Sequence, residues 1–520
     1  MITPEEQQLR EYLAVDEITF AIPAQSFAVS CAVSAEEALP VVTEFALRIA
    51  YVCDALSPGQ LQDFFGFSKK ETDAVLKSLL DERLLQWNDE HLELTPYALA
   101  RFQDSSDNLP RFFKIKEWSA EVVFDLISFS PAGRTSRLKR VRSQVELAMR
   151  DLDKQSRTLQ YAEQSFQKNF RQICTKEKAE IYKISAIDAG ERFSIPLPCT
   201  FHLDLSGPTS LRRNFDDESF GSRLEIAEAI TDTLSNQERG SNERLWEFIQ
   251  AFDGTLLQRY VSGDVFDLRR YVEEVHLTQL VRPDDERVVP LLGALYLQRN
   301  SALLLERIQA AMPAGNVEDG GVPAEVSNVD ADGQSQSLSV APQEWLWWAP
   351  QSLLWARTRR ARELAQKIDR LLLREDDRHA GGVHVVVPTA RRSPRERLSV
   401  YQDQFKRLLA VDVALMNGSL ELLIVPDTLV CAMFHFHLTH QALAVPIGFM
   451  SSVPEHIATA AALVSARLGT RPDAVSTPQG EDGAVLVQRL LRLVARLVPQ
   501  HAGTAESAIQ GRRSRLTLKK

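Results

Sequence analysis

One segment, residues 56–102, constrains the fold most because its helices and strands follow in a definite order. A short helix is expected over 60–65, and Gly66-Phe67-Ser68 then turns the chain into a second helix. That second helix has apolar residues at helical spacing, namely Val75, Leu76, Leu79 and Leu80. A hairpin follows over 84–95 with a polar turn at Asn88-Asp89-Glu90, before a last short helix. Upstream, residues 40–56 have the apolar stripe of a helix buried on one face.

This order of elements resembles the winged helix-turn-helix superfamily over residues 40–102. The resemblance implies a module that either reads DNA or docks a protein, and both uses stay open. A DNA-reading module of this type needs cations on its second helix and its wing. The expected DNA contacts are Lys69, Lys70 and Lys77, although acidic residues alternate with them and the wing tip is Asp89-Glu90.

Charge is unevenly distributed in this chain of 520 residues, whose formal net charge is −10. Basic residues concentrate in four clusters, which predict contact with a polyanion such as DNA. The first cluster begins a long polar helix expected from Arg134 to about Lys178, and it supplies the other predicted nucleic-acid contacts: Arg134, Arg137, Lys139, Arg140 and Arg142. The remaining clusters lie at 357–362, 391–397 and 512–520.

The predicted fold class is α+β multidomain, with an N-terminal winged helix, a long helical middle region and a C-terminal α/β domain with a largely parallel sheet. A run of Gly, Pro, Ser, Asp and Gln at 313–342 predicts a disordered linker. The predicted domains are a winged helix (1–109), a mixed strand and helical domain with the basic helix (110–312), the linker (313–342), the α/β domain (343–470), and an amphipathic helix with a basic tail (471–520).

The parallel sheet is expected because strands and helices alternate past the linker. Apolar strands at 383–388, 411–416 and 420–426 alternate with helices predicted over 356–373, 394–409 and 454–468. Strands separated by helices are typical of parallel βαβ crossovers.

Candidate chemistry is concentrated at Phe434-His435-Phe436-His437. On a strand, His435 and His437 share one face, a spacing that suits zinc chelation or a general acid beside a nucleophile. With its flanking strands and Gly448, this region resembles a phospholipase D-type domain, in which a strand carries His-x-Lys followed by Asp. The chain has His437 at the lysine position and Ala442 at the aspartate position, and only one such motif. The resemblance implies a degenerate, non-catalytic domain; the alternative is a phosphodiesterase that uses His435 and His437.

Other motifs are missing from the sequence. It contains no P-loop, no dinucleotide-binding glycine motif and no Cys-x-x-Cys pair, and its five cysteines are scattered. We therefore expect no cofactor and no bound metal. No apolar run is long enough for a membrane span and the first residues do not resemble a secretion signal, so the expected location is the cytoplasm, without a membrane partner.

Together these patterns favour a non-catalytic, nucleic-acid-associated accessory or recognition subunit of a bacterial DNA-processing or anti-phage defence assembly. An ATPase or nuclease partner would supply the chemistry that the chain lacks. The alternatives are the phospholipase D-like phosphodiesterase or nuclease, a winged-helix transcription regulator with a ligand-sensing C-terminal domain, and a purely structural adaptor.

Overall fold

The structure is a computed structural model. It describes residues 13–37, 39–103, 110–133, 142–175, 179–217, 220, 223–237, 240–252, 255–262, 265–277, 287–311, 344–372, 382–389 and 394–469, with isolated positions at 488, 491, 492 and 495. The predicted linker at 313–342 and most of the predicted C-terminal helix and tail lie outside these residues.

The helices are α1 (Val41–Cys53), α2 (Pro58–Phe65), α3 (Lys69–Asp81), α4 (Pro96–Gln103), α5 (Leu152–Ser156), α6 (Thr158–Ile173), α7 (Leu224–Ser235), α8 (Leu245–Ala251), α9 (Thr255–Gln258), α10 (Leu268–Tyr271), α11 (Gln298–Ala311), α12 (Arg359–Leu372), α13 (Pro394–Ser399) and α14 (Pro454–Gly469). A π-helical turn (Val272–Leu277) follows α10, and a 3-10 turn (Leu415–Gly418) precedes β14.

The strands are β1 (Ala14–Glu37), β2 (Leu85–Asn88), β3 (His91–Leu94), β4 (Phe112–Asp125), β5 (Val145–Glu146), β6 (Glu180–Asp204), β7 (Ser210–Phe215), β8 (Val261–Ser262), β9 (Val265–Phe266), β10 (Val288–Leu292), β11 (Glu344–Trp348), β12 (Gly382–Pro388), β13 (Arg407–Val411), β14 (Leu420–Val425), β15 (Leu429–His437) and β16 (Ala444–Ser451). The chain divides into two compact units. The N-terminal unit comprises residues 24–136 and 149–193, and the C-terminal unit comprises residues 1–23, 137–148 and 194–520.

Two structures make up the N-terminal unit. In the first, the second half of β1 pairs antiparallel with β4, and α6 packs Phe166 and Phe170 against the apolar side of these strands. In the second, α1 to α4 and the hairpin of β2 and β3 enclose a separate core around Leu61, Leu76 and Leu92. Ser57 and Ser68 begin α2 and α3 with capping boxes, in which each serine side chain accepts from the third helical N–H.

The C-terminal unit is built on a seven-stranded sheet in the order β10-β16-β15-β14-β11-β12-β13. One face carries the larger core, where Trp345, Trp347 and Trp355 pack with α11 and α12 residues such as Leu304 and Ile368. On the other face, Phe248 of α8 lies 5.7 Å from Phe434 of β15, between ring centroids. Since almost every residue of β11 to β16 is buried, the strands form the centre of this unit.

The prediction of a largely parallel C-terminal sheet is wrong. Only the β11–β12 and β12–β13 pairs are parallel, whereas the pairs β11–β14, β14–β15, β15–β16 and β16–β10 are antiparallel. The physical reason is the length of the connections. The turns 426–428 and 438–443 are too short for a crossover helix, so β14, β15 and β16 must run as hairpins. The helix expected over 394–409 also ends at Ser399, and residues 407–411 form β13.

The prediction of one long helix from Arg134 to about Lys178 is also wrong. Val145 and Glu146 instead pair in parallel with Phe20 and Ala21 of β1. A new helix then begins at Asp151, whose carboxylate accepts from two backbone N–H groups. Arg157 has non-helical backbone angles, with φ −115° and ψ 35°, so α5 and α6 remain separate. The middle region consequently contains long strands as well as helices.

The start of β1 belongs to the C-terminal unit and is fixed there by buried polar contacts. Asp16 accepts a hydrogen bond from Tyr296 at 2.5 Å, and Glu17 pairs with Arg360 and Thr358. Burial, offset in part by the Tyr296 hydrogen bond, raises the pKa of Asp16 to about 7.

Among the described helices, none has the length and apolar character needed to span a bilayer.

Candidate functional site

A cavity of about 330 Å³ lies at one edge of the C-terminal sheet. Parallel strands β11 and β12 end there, and β14, antiparallel to β11, begins there. Strand β15 also ends at this edge, because it is antiparallel to β14. Ligands commonly bind where the carboxyl ends of parallel strands meet, and the cavity is within the size range of small-ligand sites.

His435 contributes the reactive side chain of this cavity, and a buried carboxylate holds it. The Nε2 atom of His435 lies 2.8 Å from Oε2 of Glu421 on the neighbouring strand. Glu421 is fully buried, and its other oxygen accepts a hydrogen bond of 2.8 Å from the indole N–H of Trp347. Trp347 itself makes T-shaped ring contacts with Trp355 and Phe405. Glu421 therefore orients the His435 ring, and Trp347 orients the Glu421 carboxylate.

The contact with Glu421 assigns the tautomer of His435. A carboxylate accepts hydrogen bonds and does not donate them, so Nε2 of a neutral His435 ring carries the proton. The Nδ1 atom is then unprotonated and has a free electron pair. No described residue donates a hydrogen bond to it. A ring nitrogen of this kind can act as a base or as a nucleophile.

Arg397 of α13 supplies a positive charge to the same cavity. One guanidinium nitrogen, Nη2, donates to the carbonyl of Ser352 at 2.6 Å, which fixes the side chain. Its Nε is buried and has no hydrogen-bond partner among the described residues. The hydroxyl groups of Thr389 and Ser419 also lie in the lining. A fixed guanidinium beside residues with hydroxyl groups is suited to an oxyanion such as phosphate.

A strained turn forms part of the cavity wall. Met416, Asn417 and Gly418 have consecutive positive φ angles of 46°, 57° and 89°. A Cβ atom added at Gly418 would approach Gln351 to 2.4 Å, so the turn needs glycine both for its φ and for this close approach. Ser419 follows the turn, and its carbonyl accepts from the backbone N–H of His435 at 2.7 Å. Backbone strain of this kind is often retained at functional sites.

His437 lies two residues further along β15 and is constrained differently. The side-chain amide of Asn242 makes two hydrogen bonds of 2.8 Å to the His437 backbone N–H and carbonyl. Its ring packs so closely on Gly240 that a Cβ atom there would lie 2.1 Å from Nε2. Burial, with a smaller contribution from the nearby His435, lowers the pKa of His437 to about 4. His437 is therefore neutral near pH 7 and cannot replace the charge of a lysine.

The lowered pKa of His437 predicts a loss of stability in mild acid. A histidine in an unfolded chain has a pKa of about 6.5. Below that pH, His437 binds a proton in the unfolded chain but stays neutral in the folded chain, which favours unfolding. Because the raised pKa of Asp16 changes stability in the opposite direction over this range, the effect of His437 is measured as a difference: between pH 7.5 and pH 5 we expect the free energy of unfolding of the wild type to fall by roughly 1 to 2 kcal/mol relative to that of His437→Asn, and the difference to stay unchanged at higher pH. Urea titrations of the wild type and of His437→Asn measure it. An equal acid-dependent loss in both proteins would contradict this assignment.

The predicted site residues occupy both units. His435 and His437 meet at the cavity of the C-terminal unit, whereas Lys69, Lys70 and Lys77 are exposed on α3 of the N-terminal unit. Arg142 is exposed just before β5, and it does not lie on a helix. Arg134, Arg137, Lys139 and Arg140 lie outside the described residues. Within the described ranges, no group of three or more His, Cys, Asp or Glu side chains could hold a metal ion.

Two residues of the candidate site, the buried Glu421 behind His435 and the cavity residue Arg397, were missed by sequence reasoning. Glu421 is a single acid inside the apolar run Leu420-Glu421-Leu422-Leu423-Ile424-Val425, and that isolation was the available signal, because a buried carboxylate needs a partner. Arg397 was counted only as a member of a basic cluster on the surface. No sequence pattern indicated that Arg397 lines the same cavity as His435.

Comparison with family models, with curated proteins and with solved structures found no match to this chain. Its function is therefore inferred from the residues of the cavity.

Proposed function

We propose that the C-terminal unit binds and hydrolyses phosphodiesters of nucleic acid in the cavity of His435 and Arg397. The supporting observation is the 2.8 Å contact between His435 and the fully buried Glu421. The sequence alone favours a non-catalytic accessory subunit and keeps a phosphodiesterase as the alternative. The carboxylate contact supports the alternative, because it orients one imidazole nitrogen and leaves the other unprotonated for reaction.

The charge of the cavity favours a diester over a monoester. Arg397 is the cation among its described lining residues, and His437 is neutral near pH 7. A phosphodiester carries a single negative charge, which one guanidinium can balance, whereas a monoester approaches two. His437 lines the cavity as a neutral ring and adds no second positive charge.

The reaction proceeds in two balanced steps. The electron pair of His435 Nδ1 attacks phosphorus and forms a P–N bond, while the bond to one ester oxygen breaks and that oxygen leaves with its electron pair. A proton from water neutralises the leaving alkoxide. Water then attacks phosphorus and loses a proton to solvent, and the P–N electron pair returns to His435. Glu421 stabilises the imidazolium that exists between the two steps.

Hydrolysis of thymidine 5′-(p-nitrophenyl) phosphate tests this proposal. We expect the full-length protein to release p-nitrophenolate without added metal, and His435→Gln to lose at least about ten-thousand-fold in kcat/KM, because it removes the nucleophile. His440→Asn is the matched control, since His440 is exposed on the turn after β15 and should keep full activity. Absence of hydrolysis by the wild type, or equal rates for wild type and His435→Gln, would refute the proposal.

A second candidate function is nucleic-acid association through the N-terminal unit, as part of a defence or DNA-processing assembly. It is favoured by the exposed Lys69, Lys70 and Lys77 on α3, none of which forms an ion pair with another described residue. The first two lie at the start of this helix. This role is compatible with hydrolysis, because a docked nucleic acid supplies phosphodiesters.

A further inference from the structure

A second, larger cavity adjoins the proposed phosphodiester site. Its volume is about 1120 Å³, and its lining shares Ser241 and His437 with the smaller cavity. It lies between α8, the β8–β9 hairpin and the end of β15. Ser241 and His437 therefore border both cavities, and this space is next to any ligand whose phosphate lies at Arg397. We call it the groove.

Aromatic side chains form part of the lining of the groove. Trp246 on α8 is 43% exposed, whereas its neighbours Leu245, Phe248 and Ile249 are buried against the sheet. The helix is thus anchored on its apolar side, and the Trp246 indole is left facing the groove. Phe266 and Phe436 add a second aromatic wall, with ring centroids 5.4 Å apart. An exposed indole on a fixed helix is a stacking platform for a planar group.

The charges of the groove indicate that this planar group is uncharged. Arg269, the cation of its described lining, is already paired with Glu273 at 2.8 Å. Asp267 and Glu243 also line the groove and would repel a phosphate. The two parts of the ligand therefore bind at different places: the phosphate at Arg397 and the uncharged ring on Trp246.

We propose that the groove binds an unpaired nucleobase on Trp246, so that the substrate is single-stranded nucleic acid. This inference rests on the proposed phosphodiesterase function, which places the backbone at Arg397. A base inside a duplex already stacks on both faces and cannot cover the indole. Base stacking on an aromatic side chain contributes about 1 to 3 kcal/mol, and it tolerates any of the bases.

The binding test uses His435→Gln so that the strand is not cleaved. Fluorescence anisotropy of a labelled oligothymidylate of eight nucleotides gives its Kd. We expect Trp246→Leu in this background to raise the Kd about tenfold and Trp246→Phe to restore most of the affinity. A duplex of the same length should bind at least about tenfold more weakly than the single strand.

The matched control is Trp87→Leu, which removes another exposed indole, 51% exposed, from the hairpin of the N-terminal unit. It should leave the Kd unchanged. An unchanged Kd in Trp246→Leu, or equal affinity for the duplex, would overturn the inference.

Kinetics separate failure of this inference from failure of the proposed function. We expect Trp246→Leu to raise KM about tenfold for thymidine 5′-(p-nitrophenyl) phosphate without changing kcat, and to raise the KM for methyl p-nitrophenyl phosphate, which has no base, by less than about threefold. Equal losses on both substrates would overturn base stacking but not hydrolysis. Oligothymidylate binding that depends on Trp246, in a protein that hydrolyses neither ester, would refute hydrolysis alone.

Discussion

Replacing Glu421 with glutamine is expected to slow phosphodiester hydrolysis by about ten-thousand-fold, the loss seen when a serine protease exchanges the equivalent aspartate for asparagine. The glutamine oxygen can still accept from Trp347, so its amide group must face His435. An amide donates a hydrogen bond, which forces Nε2 of His435 to become the acceptor. The proton then moves to Nδ1, and the ring loses its nucleophilic electron pair.

The measurement is kcat for thymidine 5′-(p-nitrophenyl) phosphate, with ¹⁵N NMR of the imidazole to identify the protonated nitrogen. Because the glutamine keeps the shape of the side chain, the fold should be retained, as judged by urea unfolding. A variant that hydrolyses the ester within tenfold of the wild-type rate would show that Glu421 does not set the tautomer. Glu421→Ala is a poorer probe, since it leaves two buried groups unsatisfied and costs about 3 to 5 kcal/mol of stability.

Gly448→Ala is expected to be the most destabilising single methyl addition in the C-terminal sheet, at on the order of 3 kcal/mol. Gly448 lies in β16 opposite Met433, and an added Cβ atom would stand 2.0 Å from the carbonyl oxygen of Ala432. That oxygen belongs to the backbone of β15, so it cannot rotate away. The two strands would have to separate next to the segment that carries His435.

Urea unfolding monitored by tryptophan fluorescence measures this loss, because Trp345, Trp347 and Trp355 are buried in the same unit. Gly207→Ala is the matched control. Gly207 belongs to the same unit, and a Cβ atom there meets nothing within 4 Å. We expect it to change the free energy of unfolding by less than about 0.5 kcal/mol. Similar midpoints for the two variants would contradict the close approach of β15 and β16.

Local pattern predicted many individual elements of this fold. The helices at 41–53 and 69–81, the hairpin at 85–94 and the strands at 382–388 and 420–425 agree with their hydrophobic periodicity. Strand direction was not predictable in the same way, because a run such as Leu420–Val425 is equally apolar in a parallel or an antiparallel sheet. The connection lengths around β15 contained that information. The long strands β1 and β6 do not have a continuous strand pattern in the sequence, since polar residues and prolines interrupt it.

The sequence predicted the two histidines of the candidate site but not Glu421 or Arg397. Alternation on one strand predicted that His435 and His437 share a face, and both residues line one cavity in the structure. Arg397 lies 38 positions before His435, and the fold brings it to the cavity through a different strand and helix. The sequence also does not show whether a given histidine is charged. The lowered pKa of His437 comes from its burial, which includes the close contact with Gly240, and that packing is a property of the folded chain.

A double-mutant cycle of His435→Gln and Glu421→Gln tests the joint action of these two residues most directly. Each single variant and the double variant are compared with the wild type by their kcat for thymidine 5′-(p-nitrophenyl) phosphate. If Glu421 acts only through His435, the double variant should be no slower than His435→Gln alone. Losses that multiply in the double variant, or a wild-type protein that releases no p-nitrophenolate, would contradict the proposed site.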